Sequence, residues 1–239
     1  MTPPRLGIAA LAACLCGLAL LVAAPGQAAG ECDNLMVCIP VAGPWVGIPA
    51  PSAGGRYPRA TWQLKCPEGV VAGLDARLSD RAIDVGFFGL LGSPVNPGIT
   101  TTVAVVFEAM YTGAGRRSTS FRPFIGCIPT AGGVRTPTAV TAFKPDRATM
   151  TRVKALRLVP GRLARATHGC GPGERLVSYS TAAGLYMRRP PTTAQLAAVR
   201  IARSVRRGRI VVSASRRGLP REIRAEVQIH ALCALGERR

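Results

Sequence analysis

The sequence predicts an all-β protein of two tandem, disulfide-stapled β-sandwich modules of immunoglobulin-like size, placed after a signal peptide. Three observations support this fold class: a repeated set of motifs, cysteines at matching places in both copies, and stretches in which apolar and polar residues alternate. The 27 glycines and 20 prolines punctuate the chain as many short strands with turns require. These features indicate architecture more than chemistry, because duplicated modules serve many functions.

An export signal is predicted at the start of the chain. Arg5 is the only charged side chain before an apolar run at residues 6–24, and Gly26, Ala28 and Ala29 supply the small residues that a signal peptidase needs. We expect cleavage after Ala28 or Ala29, so that residues 1–29 form the signal peptide. The predicted location is therefore secreted, either extracellular or in a bacterial periplasm.

Two alternatives for this segment stay open. The apolar run is about long enough to cross a bilayer as a retained anchor, and residues 11–14 (LAAC) have the pattern of a lipoprotein cleavage box. However, the run is rich in alanine and glycine, which makes it weakly hydrophobic, and a cut at Cys14 would leave an apolar stub at residues 15–24. Both features favour a cleaved signal.

The rest of the chain repeats its motifs in the same order. The motif CIPVAG at 38–43 returns as CIPTAG at 127–132, and RAT at 59–61 returns at 165–167. This duplication predicts four segments after the signal, which are a cap loop at 30–37, module 1 at 38–128, module 2 at 129–235 and a tail at 236–239. The tract 129–147 is either a linker or the first strand of module 2.

The most regular strand signal lies near the end of the chain. Six apolar residues at odd positions from 223 to 233 alternate with a mainly polar row that includes Gln228 and His230, which predicts a strand buried on one face and solvated on the other. Residue types also predict strands at 70–78, 99–111, 176–181 and 209–215, and a strand buried on both faces at 85–92. Residues 192–200 are either a short helix capped by threonine or the start of a strand.

Six cysteines follow the predicted signal, and an even number in an exported chain indicates disulfides. Each copy has one cysteine before its first strand and one that closes its last strand, about 60 residues later. The repeat therefore favours the pairs Cys66–Cys127 and Cys170–Cys233, with Cys32–Cys38 as a small terminal loop. A competing set pairs Cys38 with Cys66, Cys127 with Cys170, and Cys32 with Cys233.

One short motif has a catalytic counterpart. Thr167-His168-Gly169-Cys170 resembles the Ser/Thr-His-Gly-Cys core around the nucleophile of bacterial L,D-transpeptidases. That family also uses a second histidine upstream of the core, whereas this chain has only His168 and His230, and Gly171-Pro172 differs from the residues that usually follow the cysteine. A nucleophilic thiol must be free, and the repeat instead predicts that Cys170 is half of a disulfide.

Carboxylates supply a second enzymatic hypothesis. Asp75, Asp80 and Asp84 lie close together in the sequence, and paired carboxylates perform general acid and base catalysis in glycosidases. Asp75 falls on the outward face of a predicted strand, and Asp80 lies in a predicted turn. An exported, glycan-directed hydrolase that uses these residues is therefore the alternative hypothesis rather than the preferred one.

Metal and cofactor sites are not predicted. The two histidines are far apart in the sequence, the cysteines are expected to be oxidised, and the common hydrolase and nucleotide-binding motifs are absent from the sequence. We therefore expect no catalytic residue, no metal and no cofactor.

The charge of +19 is concentrated in the second copy. Residues 30–140 contain nine Lys and Arg against seven Asp and Glu, whereas residues 141–239 contain 21 against 5. A candidate anion-binding set lies in this second copy: Arg200, Arg203, Arg206, Arg207, Arg209, Arg216, Arg217, Arg221 and Arg224. Arginine supplies 28 of the 31 basic residues, which a GC-rich genome would also produce.

The function predicted from these observations is that of a secreted, non-enzymatic surface, binding or envelope-associated protein. Its basic second module is the expected contact surface for anionic cell-envelope polymers or lipid headgroups. A dedicated nucleic-acid function is disfavoured because aromatic residues make up only 5% of the chain, which leaves little for base stacking. A cationic, membrane-active protein is a further alternative.

Overall fold

A computed structural model of the 239-residue chain describes residues 30–33, 35, 37–51, 57–89, 103–115, 117–129 and 149–235. Within these residues the protein is all-β, as the sequence predicts, with a 3-10 turn at Gly30–Cys32 and one short helix, α1, at Thr193–Ala197. The predicted signal peptide and most of the tract 129–147 lie outside the described residues. The strands are β1 (Ile39–Ala42), β2 (Trp45–Ile48), β3 (Arg59–Lys65), β4 (Val70–Leu78), β5 (Ile83–Gly89), β6 (Ala104–Tyr111), β7 (Thr119–Ile128), β8 (Thr149–Leu158), β9 (Ala164–His168), β10 (Glu174–Tyr186), β11 (Val199–Arg206), β12 (Arg209–Arg216) and β13 (Arg224–Leu235).

The described strands form three antiparallel sheets. The large sheet runs in the order β4, β7, β2, β10, β13, β8, and β1 lies beside β7 on the same side as β2. The sheet β3-β6-β5 packs on the part of the large sheet from the first half of the chain, around Trp62, Phe107 and Phe121. The sheet β11-β12-β9 packs on the part from the second half, around Ile210, Val212 and Ile229. Each half, residues 30–129 and residues 149–235, thus has two facing sheets with a core between them.

The two halves arrange their strands in the same way. In the first half β4 pairs with β7 and β6 lies between β3 and β5; in the second, β10 pairs with β13 and β12 lies between β9 and β11. A β-bulge interrupts both long pairs just after the residue opposite a cysteine, at Val71 opposite Cys127 and at Leu176 opposite Cys233. The bulge changes which residues of β4 face inward, so that Val71, rather than Val70, is fully buried.

Three disulfides join the pairs that the repeat favoured. They link Cys32 to Cys38, Cys66 to Cys127 and Cys170 to Cys233, and the last two span 61 and 63 residues. Each long bond ties the small sheet of one half to the large sheet, because its first cysteine follows β3 or β9 and its second lies in β7 or β13. A loop of this length stabilises the fold by about 4 kcal/mol on the chain-entropy argument.

The middle of the polar row of β13 is buried, which corrects the prediction that the row faces solvent, whereas Arg224 is exposed as expected and Glu226 is half-buried. Gln228 is 7% exposed and His230 is 4% exposed. The side-chain amide of Gln228 accepts a hydrogen bond from the backbone N–H of Gln63 at 2.8 Å and donates one to the Gln63 carbonyl at 3.0 Å. Gln63 lies in β3, an edge strand, so this amide occupies the place of a neighbouring strand. Alternation of apolar and polar residues shows which side chains share a face of the strand, but it does not show whether another part of the protein packs on the polar face.

Small side chains let the two halves meet closely beside this contact. A Cβ atom on Gly184 would lie 2.6 Å from the Trp62 ring, so glycine is required where β10 passes the first core. Ala182 belongs to that same core cluster, and the hydroxyls of Thr61 and Ser180 share a hydrogen bond of 2.6 Å. The halves are therefore joined by strand pairing between β2 and β10, by apolar packing and by polar contacts.

Two other predictions are resolved by the described residues. Among the described strands β5 pairs with β6 alone, and Gly86 is exposed and Phe87 is 38% exposed, so the prediction of a strand buried on both faces is wrong for residues 85–87. Residues 90–92 of that prediction lie outside the described residues. Helix α1 begins after Thr192 with a capping box that involves Gln195, and β11 starts at Val199, so the segment 192–200 contains both a helix and a strand start.

Replacement of Gln228 by alanine tests the contact between the halves. We expect a loss of about 3 kcal/mol in the free energy of unfolding, because the buried N–H and carbonyl of Gln63 both lose their partner. Urea denaturation provides the measurement. Thr61→Val, which removes a single hydroxyl contact at the same seam, should cost about 1 kcal/mol. Equal losses in the two variants would contradict the special role of the Gln228 amide.

Candidate anion-binding face

Four arginines share the outer side of the sheet β11-β12-β9. In this sheet Ile210, Val212 and Ala214 point into the core, so residues one position along each strand, and their cross-strand partners, point outward. The strand register places four exposed arginines on that outer side, and we call this surface the arginine face: Arg165, Arg200, Arg206 and Arg209.

The arginine face is long enough to accommodate an extended chain. Its remaining side chains are small or short, and most are polar: Thr167, Ala202, Ser204, Val211, Ser213 and Ser215. Arg200 and Arg206 lie at opposite ends of β11, about 20 Å apart at about 3.4 Å per residue. Arg206 lies directly opposite Arg209, and Arg165 lies on the far strand between these two ends. The positive charges are therefore spread along the face instead of being gathered in one pocket.

No carboxylate balances these charges within the sheet. The sequences of β9, β11 and β12 contain no aspartate or glutamate, and the four arginines form no ion pair or hydrogen bond with the described residues. The corresponding side of β3-β6-β5 carries two cations, Arg59 and Lys65, and two anions, Asp84 and Glu108, with Arg59 and Glu108 paired at 2.5 Å. Charge, rather than strand arrangement, distinguishes the two surfaces.

The hairpin between β11 and β12 adds a fifth arginine at one end of the face. Its two-residue turn is Arg207-Gly208, with φ values of 49° and 71°, which is the type I′ geometry that suits a twisted hairpin. Asparagine is the usual partner of glycine in such a turn, and a positive φ is costly for arginine. The Arg206–Arg209 pair next to it also places like charges opposite each other. Three cations are thus held together at this tip against local conformational and electrostatic cost.

The remaining arginines of the predicted set do not belong to this face. Arg203 donates to the Thr181 hydroxyl at 2.9 Å, Arg216 is buried and donates to the carbonyls of Ile223 and Arg221, and Arg224 stacks on the Tyr186 ring at 3.5 Å from its centroid. Arg217 and Arg221 are exposed in the loop after β12. The predicted set is therefore divided among the arginine face with its hairpin tip, an exposed loop, and positions where arginine contacts other parts of the fold.

Arg165 was missed by the sequence prediction, although a signal for it was available. It lies in the repeated RAT motif, and β9 pairs with β12 so that Arg165 lies opposite Ser213. Its equivalent in the first copy is Arg59, which forms an ion pair. The repeat makes Arg165 the counterpart of Arg59, which lies on the outer side of its own sheet. The pairing of β9 with β12 is what places Arg165 beside the other arginines of the face.

A separate cleft of about 480 Å³ lies where the two halves meet, and its lining includes Lys65, Thr151, Arg152, His168 and the Cys170 end of one disulfide. Arg152 donates to both carboxylate oxygens of Glu174, at 2.6 and 2.7 Å. This pairing, with the N–H of Gly171, lowers the pKa of Glu174 to about 2. Arg152 and Glu174 therefore neutralise each other, and the cleft also contains the cation Lys65, which forms no ion pair with the described residues.

The transpeptidase-like motif lacks a free thiol, because Cys170 is bonded to Cys233. The Nε2 atom of His168 lies 2.9 Å from the carbonyl of Arg152. Cys170, Cys233 and Glu174 bring possible metal ligands within 4.8 Å of one another, yet the two sulfurs are bonded together and the carboxylate is held by Arg152. The disulfide and the Arg152–Glu174 ion pair therefore have a structural role here.

The three aspartates of the hydrolase hypothesis are not arranged as one site. Asp75 lies on the outer side of the large sheet and accepts hydrogen bonds from the N–H groups of Gly30 and Ala76, at 2.8 and 2.7 Å. Asp80 accepts from the N–H of Ala82 and pairs with Arg117. Asp84 is exposed on the outer side of the facing sheet, and so lies across the sandwich from Asp75.

His230 is held neutral at the seam between the halves. Its Nε2 atom lies 3.1 Å from the Gln228 oxygen, which already accepts the N–H of Gln63, so His230 acts as a donor there. Its Nδ1 atom is buried without a partner among the described residues. Burial, together with the nearby His168, lowers the pKa of His230 to about 4.

No protein-family model matches the chain, and no curated protein or solved structure matches it. In the part of the chain that the structure describes, no helix has the length and apolarity to cross a membrane. The geometry of the arginine face is therefore the basis for a functional conclusion.

The pKa of His230 predicts a pH dependence of stability. A histidine pKa of about 4 in the fold, against an ordinary value of 6.5, favours the neutral form, so stability is full above pH 6.5 and falls as the pH drops toward 4. Between pH 7 and pH 4.5 we expect a loss of about 2.5 kcal/mol from this residue. Glu174 contributes its own loss only below its ordinary pKa of 4.5. Urea denaturation of wild type and His230→Gln at both pH values isolates the effect, and identical pH dependence in the two proteins would contradict it.

Arg207→Asn tests whether the positive φ of Arg207 destabilises the protein. Asparagine tolerates a positive φ better than arginine, so the variant should be more stable by about 0.5–1 kcal/mol. Thermal unfolding at matched ionic strength gives the measurement. Arg188→Asn, at an exposed bend outside the face, is the matched control and should change stability by less than about 0.5 kcal/mol. A destabilised Arg207→Asn protein would show that the arginine has a structural role at the tip.

Proposed function

We propose that this chain is an exported, non-enzymatic binding protein whose arginine face, with the adjacent hairpin tip, binds an anionic polymer of the cell envelope. The observation that carries the proposal is the presence of four exposed arginines on one side of a sheet whose three strands contain no carboxylate. Such a surface concentrates polyanions, and each contact releases counterions from the polymer.

The spacing of the charges supports a polymer rather than a small anion. A small anion is usually held by several donors that converge on one point, whereas these arginines extend over about 20 Å of the sheet. The short side chains between them allow an extended chain to lie against the strands. Nucleic acid is a poorer match, because β9, β11 and β12 contain no aromatic residue on which a base could stack.

Export and tandem duplication form part of the same proposal. Three disulfides are typical of an oxidising compartment, and the sequence places a signal peptide at residues 1–29 before them. The matching strand arrangement and the matching bulges support two modules, at 38–128 and 129–235, that derive from one ancestor. In this view the first module is a neutral scaffold, and the second has acquired the binding surface.

Binding to inorganic polyphosphate tests the function. The variant has Arg165, Arg200, Arg206 and Arg209 replaced by glutamine, and its affinity at about 0.1 M salt should fall at least about tenfold. The slope of log affinity against log salt should also fall by about three, since each lost contact removes about 0.7 from it. Calorimetry or fluorescence anisotropy with end-labelled polyphosphate provides both readings, and neutral dextran should not bind.

A matched control separates the face from net charge. Replacement of Arg162, Arg175, Arg188 and Arg189 by glutamine removes the same charge from exposed positions outside the face, and affinity should stay within about threefold of wild type. Equal losses in both variants would mean that overall charge alone attracts the polymer. The face variant is also tested for dye release from phosphatidylglycerol vesicles. If its four substitutions reduce dye release more than they reduce polyphosphate affinity, the result would instead support a membrane-active protein.

A further inference from the structure

The first described residues are held tightly against the large sheet. The carbonyl of Glu31 occupies the space that a Cβ atom would need on Gly73 of β4 and on Gly126 of β7, so both glycines are required for this approach. The disulfide from Cys32 to Cys38 ties the same segment to the strand that follows. Gly30 is therefore positioned by packing and by a covalent bond close to it in the chain.

Carboxylates surround Gly30. Its backbone nitrogen donates to Asp75 Oδ2 at 2.8 Å, and Asp33 Oδ2 lies 3.1 Å from the position that a Cβ atom on Gly30 would take. The side chain of Glu31 is 6% exposed, and its Oε2 atom is buried without a hydrogen-bond partner among the described residues. Burial raises the pKa of Glu31, and the charges of Asp75 and Asp33 add to that rise.

One cation lies near this acidic cluster: the charge of Arg77 lowers the pKa of Glu31 and so opposes part of its rise. None of Glu31, Asp33 and Asp75 forms an ion pair with a lysine or arginine there. A divalent metal is a poor match, because the one described set of three side-chain ligand atoms within 4.8 Å of one another is that of Cys170, Glu174 and Cys233. A single positive charge on the nitrogen that already contacts Asp75 would offset the repulsion among the carboxylates.

We propose that the signal peptide is removed at the bond between Ala29 and Gly30, and that the new α-ammonium of Gly30 binds Asp75, with Asp33 and Glu31 beside it. Hydrolysis adds one water across this peptide bond, which leaves a carboxylate on Ala29 and an ammonium on Gly30. This inference depends on the proposed export of the chain, but not on polyanion binding.

The contact between the Gly30 nitrogen and Asp75 favours cleavage after Ala29 over cleavage after Ala28. A cut after Ala28 would leave the nitrogen of Gly30 as a neutral amide with one proton, and would place the positive charge one residue away from the contact with Asp75. A cut after Ala29 gives the nitrogen of Gly30 a full charge and three protons, which suit a site with several carboxylates. Gly30 also has no side chain to collide with Asp33.

The start of the exported protein is tested first. The full chain with its own leader is expressed in a bacterial host, and the intact mass of the protein recovered from the periplasm or medium is measured under non-reducing conditions. We expect a chain that begins at Gly30 and contains three disulfides. A chain that begins at Ala29, or one that keeps its leader, would overturn the proposal.

The state of the α-amino group is tested on that same protein. An unperturbed α-amino group has a pKa of about 8, and pairing with carboxylates should raise it by at least about one unit. At pH 7 an amine-acetylating reagent should therefore modify Gly30 at least about tenfold more slowly in the folded protein than in 8 M urea, with the three lysines as internal references. Equal rates in the two states would overturn the proposal.

Asp75→Asn should raise the folded-state rate at Gly30 at least about fivefold, whereas Asp84→Asn, an exposed aspartate across the sandwich, should leave it unchanged. An unchanged rate in a folded Asp75→Asn protein would overturn the role of Asp75. If Asp75→Asn does not fold, the comparison of folded and urea-unfolded wild type still decides whether the ammonium is held. Neither measurement involves polyphosphate, so a failure here is distinct from a failure of the proposed function.

Discussion

The packing of strand β3 on the polar side of β13 is the contact on which the rest of the structure depends. It buries Gln228 and His230, supplies the free edge of β3 with hydrogen bonds and fixes the two halves against each other. It also decides which surfaces remain available. One side of the second half is contacted by the first half, whereas the side that carries the arginine face stays exposed.

The arginines of the protein fall into two groups, those that pair with a carboxylate and those that do not. Around the seam and in the first half, several arginines have partners, such as Glu108, Asp80 and Glu174. The β11-β12-β9 sheet contains no acidic residue, and the four arginines of the arginine face form no ion pair with the described residues. Free charges on one face act together on an anion, whereas paired surface charges contribute little. Under the proposed function, the second half therefore differs from the first in lacking acidic partners for these arginines.

The sequence was informative where local spacing determines structure. The repeated positions of Cys66 with Cys127 and of Cys170 with Cys233 predicted the disulfides, and the apolar row of β13 predicted its buried face. The burial of Gln228 was not predictable, because its partner Gln63 is 165 residues away and no pattern in β13 reports it. The arginine set was only partly right, because strand parity sends Arg203 and Arg216 inward and because Arg165 joins the face through pairing with a distant strand.

Two edge strands bear on whether copies of this protein can pair through their sheets. Strand β11 is an edge strand, and its outward backbone groups would otherwise invite a second chain to add a strand. Arg200, Arg203 and Arg206 lie along that edge, and their mutual repulsion between copies opposes such pairing. The edge of β3 is closed in another way, by the amide of Gln228. Two of the sheet edges therefore oppose strand pairing between copies of this protein.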